Sequence, residues 1–387
     1  MQYRTFGKSD KRISALGFGC MRLPIIDGDY ANIDEPEATR MVRHAIDQGV
    51  NYLDTAYGYH RTNSERFVGR VLKDGYRDKA YLATKMPVWL VQEKSDFDRL
   101  LNEQLEKLQT DHIDFYLLHA LGGPRWREMY ELGVVDWLEK TRASGRIGQV
   151  GFSFHDKFAV FKQILEDNPN WDFCQIQYNY MDINNQAGTE GLQYAASKGL
   201  GVVVMEPLLG GKLARHIPAL EPIWDTASVK RSPADWALQW LWSQPEVSLA
   251  LSGMSTMQQV EENLASASTA QAGQLTDDEI AMIATVRETL NTLSPIPCTK
   301  CEYCLPCPNG VNIPRNFDVY NQGAMFHDHE NARRGYKNWI PDAAKAAQCI
   351  QCQECEEKCP QKINISQWMP VVEEVLGLDR PYVMHLS

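Results

Sequence analysis

Between residues 15 and 251 the chain repeats one rhythm: a short, nearly unbroken apolar run, then a longer stretch whose apolar residues recur every three or four positions. The runs near 15–20, 51–54, 80–84, 113–117, 147–151, 173–177, 200–204 and 248–251 have the length and composition of strands buried on both faces. The stretches near 36–48, 63–74, 97–108, 134–144, 156–166, 188–198, 233–243 and 256–267 predict amphipathic helices. Phe97–Leu108 shows this most plainly, with Leu101, Leu105 and Leu108 on one face. Eight strand–helix units over about 250 residues predict a closed parallel α/β barrel. An open doubly wound sheet is the alternative, but it asks for G-x-G-x-x-G after the first strand, and Gly17-Phe18-Gly19 continues as Cys-Met-Arg. Ahead of the barrel, Tyr3–Leu16 predicts a hairpin turning at Gly7–Asp10. After it, a helix over Asp277–Leu290 runs into Ser294-Pro-Ile-Pro297, where two prolines in four residues mark a boundary. The expected domains are therefore 1–293 and 294–387, the second with helical patterns at Ile313–Gln322 and Glu330–Asn338.

Chemistry concentrates where the strands end. Asn51-Tyr52-Leu53 leads into Asp54, with Tyr57, Tyr59 and His60 close behind. A carboxylate and phenols are costly in a core and useful in a pocket. By itself the stretch reads equally well as a capped strand with surface tyrosines. Two further runs change that: Ala80–Thr84 ends in Lys85, and Phe115–Leu118 ends in His119. Three consecutive strands ending in ionisable residues are how a barrel builds its active face. Trp89 and the loop Ala120–Arg127 stand beside this face as candidate pocket walls, with plain packing the competing role.

The segments LDTAYGYH, NSERFVG, ATK and LLHA, in that order and spacing, resemble the aldo/keto reductases over roughly residues 1–290. The resemblance implies a (β/α)8 TIM barrel, a nicotinamide cofactor and a catalytic set of Asp54, Tyr59, Lys85 and His119. Tyr57 is the rival acid, but the family's five-residue offset from the aspartate favours Tyr59. The chemistry is coherent: carbonyl reduction leaves an alkoxide needing a proton, and a phenol of pKa near 10 is a weak acid at neutral pH. Lys85 is expected to lower that pKa, with Asp54 holding Lys85 charged and a neutral His119 orienting the carbonyl. The same resemblance assigns the nicotinamide amide to Ser153 and Gln175, although the family's Asn beside that serine is Phe154 here. It assigns the pyrophosphate to Glu206–Lys212, including Gly210, Gly211 and Lys212, with Met205 where a stacking Tyr is frequent. Aligned on Glu262 and Asn263, the positions that carry cations in NADP-specific relatives are Gly253, Met254 and Gln259. Helix amino termini accept phosphate, yet with no cation among these three the expected preference is weak or toward NADH.

Composition sharpens the picture in two places. A net charge of -11 without a basic stripe argues against nucleic acid. No run approaches the 18 apolar residues of a membrane helix and no signal peptide is evident, so a cytoplasmic location is expected. The ten cysteines are distributed unevenly. Cys20 and Cys174 read as core thiols, while the other eight form Cys298-x2-Cys301-x2-Cys304-x2-Cys307-Pro and Cys349-x2-Cys352-x2-Cys355-x3-Cys359-Pro. In two-cluster ferredoxins the cysteine before proline serves the other cluster. That crossing gives one 4Fe-4S site to Cys298, Cys301, Cys304 and Cys359, and a second to Cys349, Cys352, Cys355 and Cys307. Two four-thiolate zinc sites are the competing reading. Two clusters are expected and one at minimum, because the first motif is one residue short before Cys307. Barrel and module together resemble the ferredoxin-domain branch of the aldo/keto reductases, with a mainly helical ferredoxin-like iron–sulfur domain at the carboxyl end. Two functions follow: NAD(P)H-dependent reduction of a carbonyl, or oxidation of an alcohol, with a one-electron redox protein as possible partner; or an electron-transfer or redox-sensing protein using the barrel as a docking scaffold. No flavin fingerprint bridges hydride and single-electron chemistry, so direct exchange between NADH and the clusters is not expected.

Overall fold

The computed structural model describes residues 1–386. Internal contacts divide the chain into two compact units: Met1–Ala214 with Arg231–Ile280, and Arg215–Lys230 with the chain from Ala281 onward. This differs from the expected break after residue 293. Part of the reason is a tie inside the second unit that prolines do not report: Arg215 Nη2 donates to Asp328 Oδ1 at 2.7 Å, and Nη1 donates to the carbonyls of Phe326 and His327.

In the first unit β1 (Tyr3–Thr5) and β2 (Arg12–Ser14) form the antiparallel hairpin. Eight parallel strands then close a barrel: β3 (Leu16–Gly19), β4 (Tyr52–Asp54), β5 (Tyr81–Met86), β6 (Ile113–Leu121), β7 (Ile147–Phe154), β8 (Phe173–Gln177), β9 (Gly201–Met205) and β10 (Leu249–Ser252). Every neighbouring pair is consecutive in sequence, with β10 returning to β3. Buried apolar faces of the connecting helices, such as Leu100, Leu101 and Leu108 of Ser95–Leu108, pack against the outside. The hairpin closes one end. Phe6 sets its ring 5.1 Å from Phe115 and 5.6 Å from Phe173, and a Cβ on Gly201 would stand 2.5 Å from that ring, so only glycine admits the plug.

Strand alternation places the polar residues. Tyr52, Ala83, Phe115, Leu117 and Phe173 fill the barrel interior with Phe6 and Val203. Side chains two positions apart share a face, so Asp54 follows Tyr52, Lys85 follows Ala83, His119 follows Leu117 and Gln175 follows Phe173 at the carboxyl-terminal end. Ser153 on β7 is the direct register partner of Gln175 on β8. One sequence motif reads differently in three dimensions: most of Ala120–Arg127, expected as loop, falls in the helix Gly123–Glu131, whose proline sits in the first turn, where its missing N–H costs nothing.

The second unit has its own apolar centre, built from Ile313, Phe317, Tyr320, Tyr336, Ile365, Trp368, Met369 and Val372, with Cys304 and Cys359 buried among them. Helices Ile313–Met325, His329–Trp339 and Ile365–Val372 supply most of it. The last of these was not legible from the sequence, since Pro370 lies inside it.

Candidate active site

Three strand ends, with the loop after β4, bring the predicted catalytic set together. Lys85 Nζ donates to Asp54 Oδ1 at 2.6 Å, to the Thr55 carbonyl at 2.8 Å and to the Tyr59 hydroxyl at 3.4 Å. Lys85 and Asp54 are both almost wholly buried. Burial alone would depress the ammonium, but Asp54 and Tyr59 outweigh it and hold Lys85 above its ordinary pKa, hence charged. Tyr57 turns away: its hydroxyl donates to Glu103 Oε1 at 3.0 Å and its ring lies under Lys107. Tyr59 is the phenol that meets the lysine. Its acidity departs from the expectation, because burial raises its pKa above the ordinary phenol value by more than Lys85 lowers it. Tyr59 therefore enters the site fully protonated.

Behind Lys85 lies a buried polar network that sequence reasoning missed. Glu65 Oε1 accepts from Thr84 Oγ1 and from Gln104 Nε2, each at 2.7 Å, and Gln104 Nε2 also donates to the Lys85 carbonyl at 2.9 Å. Tyr116 completes it by donating to Gln104 Oε1 at 2.7 Å. The available signal was NSERFVG, where a glutamate stands among helix positions that face inward. The network fixes the backbone from which Lys85 projects.

His119 sits at an irregularity in β6, where the register with β7 shifts between Leu118 and Leu121 and Ala120 takes φ 56°. Such bulges re-aim side chains at barrel rims. The His119 ring lies edge-on to Tyr59 at 6.2 Å and against Trp89 at 5.0 Å, and its buried Nδ1 has no hydrogen-bond partner. Burial, then the charges of Lys85, His155 and Arg125, hold its pKa well below the ordinary histidine range. It is a neutral imidazole at the mouth.

The predicted cofactor residues divide into groups. Ser153 Oγ accepts from the Ala120 N–H at 2.7 Å and keeps its own proton to donate. Gln175, nearly fully buried, has an Oε1 with no partner. A buried orphan acceptor beside a hydroxyl donor fits a carboxamide, so these residues suit the nicotinamide amide. Gly210 and Gly211 both adopt left-handed backbone, φ 66° and 90°, within the turn Leu209–Ala214 that also carries Lys212. Other predicted contacts are engaged elsewhere. Met254 is buried in the core, Asn263 Nδ2 donates to Ser252 Oγ at 2.8 Å, and Gln258 donates to Glu262. Gln259 Oε1 accepts from the Ser255 N–H near the start of helix Met257–Ala267. None of the three positions Gly253, Met254 and Gln259 carries a cation, but one from the loop after β3 stands close by. Arg22 lies 3.9 Å from Glu206, within 3.3 Å of a Cβ position on Gly210 and 3.2 Å of one on Gly253. The signal was Cys-Met-Arg immediately after the first strand, three residues past the strand's last glycine.

In the second unit the eight thiols ring two cavities. One is lined by Cys298, Cys301, Cys304 and Cys359. The other is lined by Cys307, Cys349, Cys352 and Cys355, with Cys304 at its wall. Cys307 reaches the second cavity despite its short spacing. Both triple motifs wrap identically: Lys300 and Glu302 in the first, and Gln351 and Gln353 in the second, have φ between 58° and 66°. Non-glycine residues rarely hold this conformation. Its recurrence at the same two places of each motif turns the backbone around each cavity, and the Gln351 N–H already points to Cys349 Sγ at 3.4 Å. Four thiols and inward N–H groups suit a 4Fe-4S cluster.

Comparison with known proteins finds the same two parts, with the boundary between residues 288 and 297, where the two prolines stand. The aldo/keto reductase family model matches residues 15–288, and a 4Fe-4S dicluster domain model matches residues 297–363. L-galactose dehydrogenase from Arabidopsis thaliana is 27% identical over 76% of this chain and 97% of its own length. An uncharacterized oxidoreductase from Bacillus subtilis is 26% identical over 68% of this chain and 90% of its own. Among solved structures, the holo form of an aldo-keto reductase from Bacillus halodurans superposes with a TM-score of 0.62 at 28% identity, covering 74% of this chain and 96% of that one. An aldo/keto reductase from Klebsiella pneumoniae in complex with NADP and acetate gives 0.60 at 25% identity, over 74% and 95%. Among the described residues no helix is long and apolar enough to cross a membrane. A parallel barrel with these strand-end residues, followed by a cysteine-rich helical unit, belongs to the aldo/keto reductase family and carries a carboxyl-terminal 4Fe-4S domain.

Proposed function

We propose that the protein reduces an aldehyde or ketone with NAD(P)H, reversibly, using Tyr59 as the proton donor. The observation that carries this reading is Lys85 Nζ, held between Asp54 Oδ1 at 2.6 Å and the Tyr59 hydroxyl at 3.4 Å. When bound, the nicotinamide supplies a hydride, two electrons and a hydrogen, to the carbonyl carbon. The oxygen becomes an alkoxide and takes the Tyr59 proton. The phenolate left behind is stabilised by the Lys85 ammonium, which Asp54 keeps charged. Neutral His119 donates a hydrogen bond to the same oxygen and orients the carbonyl. Ser153 and Gln175 would hold the nicotinamide amide, and Gly210, Gly211, Lys212 and Arg22 the phosphates.

The two cysteine cavities are proposed to hold one 4Fe-4S cluster each, with the crossed ligand sets, serving a one-electron redox partner. Thiols kept reduced for iron suit a cytoplasmic setting. The second reading, a redox protein with the barrel as scaffold, leaves the buried Lys85–Asp54–Tyr59 arrangement without a purpose. Replacing Tyr59 by Phe removes only the hydroxyl, and carbonyl reduction should fall by at least about 10²-fold while dinucleotide binding persists. Full activity in Tyr59→Phe, or its loss in Tyr57→Phe instead, would refute the assignment. Because burial raises the Tyr59 pKa, and reduction needs the protonated phenol, the rate should not decline on the alkaline side until the pH exceeds the ordinary phenol value.

A further inference from the structure

Beside His119 the mouth carries a cation that the reaction above does not use. Arg125 stands in the first turn of helix Gly123–Glu131. Its guanidinium lies over the Trp89 ring at 5.7 Å, and Trp89 is the ring that touches His119 at 5.0 Å. Arg125 Nη1 donates to the carbonyl of Ala120, the residue after His119, at 3.0 Å. That is one of five donors. Among the described residues no carboxylate pairs with Arg125. Its charge is nevertheless felt inside the site, since it helps hold both His119 and His155 below the ordinary histidine range.

Other arginines of the chain also lack a carboxylate partner among the described residues; Arg125 is set apart by its place beside the ring that touches His119. Its position matches the demands of substrate recognition. The reacting oxygen must lie between Tyr59 and His119, and Trp89 spans from His119 to Arg125, so a molecule lying along that indole reaches the guanidinium a few bonds beyond its carbonyl. A planar fork held over an aromatic ring has further N–H groups to offer an oxyanion.

We propose that Arg125 binds an anionic group of the substrate, so that the compound reduced is a short carbonyl compound bearing a carboxylate or phosphate. This rests on the reductase reading and names its substrate class. Arg125 is a binding and specificity residue, and takes no part in the proton transfer.

The test uses the full chain with NAD(P)H and four probes: succinic semialdehyde, its methyl ester, butanal, and glycolaldehyde phosphate. A charge-assisted hydrogen-bonded pair should favour an anionic probe over the neutral ones by about ten- to a hundredfold in kcat/KM, chiefly through KM. Arg125→Ala should abolish that preference by raising KM for the anion alone, Arg125→Lys should recover part of it, and raised salt should narrow it. Whichever anion responds, semialdehyde or phosphate, identifies the group. Equal kcat/KM for charged and neutral probes in the unmodified protein, or an anion preference that persists in Arg125→Ala, overturns the inference and leaves the reductase reading intact. Turnover of no probe, or turnover indifferent to Tyr59→Phe, fails the reductase reading itself. A loss of kcat on neutral and charged probes alike in Arg125→Ala would reduce Arg125 to a brace for the Ala120 carbonyl, and would also overturn the inference.

Discussion

At the barrel mouth, Asp54, Lys85, Ser153 and Gln175 each stand on a strand whose ladder bonds fix their height and direction, and His119 stands on β6 at the bulge between Leu118 and Leu121. Around the cysteines there is little regular structure. The only regular elements between Ala346 and Asn364 are a single turn at Ala346–Gln348 and the four-residue helix Glu354–Glu357, and the first motif lies in irregular chain throughout. The barrel orients its reactive groups with the same hydrogen bonds that make the fold. The cysteine unit orients its thiols with strained left-handed turns, and local strain persists only when something else over-determines it. Preorganisation in one region is a property of the chain; in the other we expect it to depend on the clusters bound, because metal-binding free energy is then folding free energy.

Stripping iron is the strongest way to test that contrast. Anaerobically prepared protein should hold about eight irons per chain, and Cys301→Ala and Cys349→Ala should each remove about four. Chelation should expose the second unit to protease while a fragment containing the barrel strands resists. Joint collapse of both units would break the comparison.

A smaller effect should follow from Lys85→Met, which leaves the Asp54 carboxylate buried and unpaired. Removing one member of such a pair costs roughly 3–5 kcal/mol, readable as a lower urea midpoint. The sign with pH follows from Asp54 itself, whose folded pKa is already raised by burial. A raised carboxyl favours the protonated folded form, so the variant should recover stability as pH falls into the carboxylate range and lose it as pH rises. A pH-independent deficit would show that Asp54 finds another partner.

Smallest of the three is Arg22→Ala. Loss of one cation near Gly210 and Gly253 should weaken dinucleotide binding about tenfold in titration. An unchanged dissociation constant for both NADH and NADPH would return the phosphate site to Lys212 and the helix terminus alone.

The sequence carried the architecture because a parallel barrel has no subtle part: each strand is apolar on both faces, and each helix has one apolar stripe. It also carried Asp54, Lys85 and His119, since residues that end a strand must face the mouth. Loop cations were not legible in this way. Arg22 and Arg125 obey no period, and only the three-dimensional path brings one to Gly253 and the other to Trp89. Helix Gly123–Glu131 was hidden by Gly-Gly-Pro, which reads as a turn as readily as a helix start. The direction of the Tyr59 pKa was missed for another reason: proximity to Lys85 can be guessed from spacing, but the depth of burial opposing it cannot.

The aromatic plug at the closed end has a consequence for how the molecule comes into being. Phe6 precedes every barrel strand, yet its resting place is formed by Phe115, Phe173 and the bare backbone of Gly201. The hairpin that carries it can pair at once, since β1 and β2 are adjacent. Its ring has nowhere to go until β9, which carries Gly201 far later in the chain, is in place. Contacts of such long sequence separation are slow to form and leave apolar surface waiting in the interval. A glycine-to-alanine change at position 201 would therefore be felt first as poor yield of folded protein, before any change in the chemistry at the opposite end.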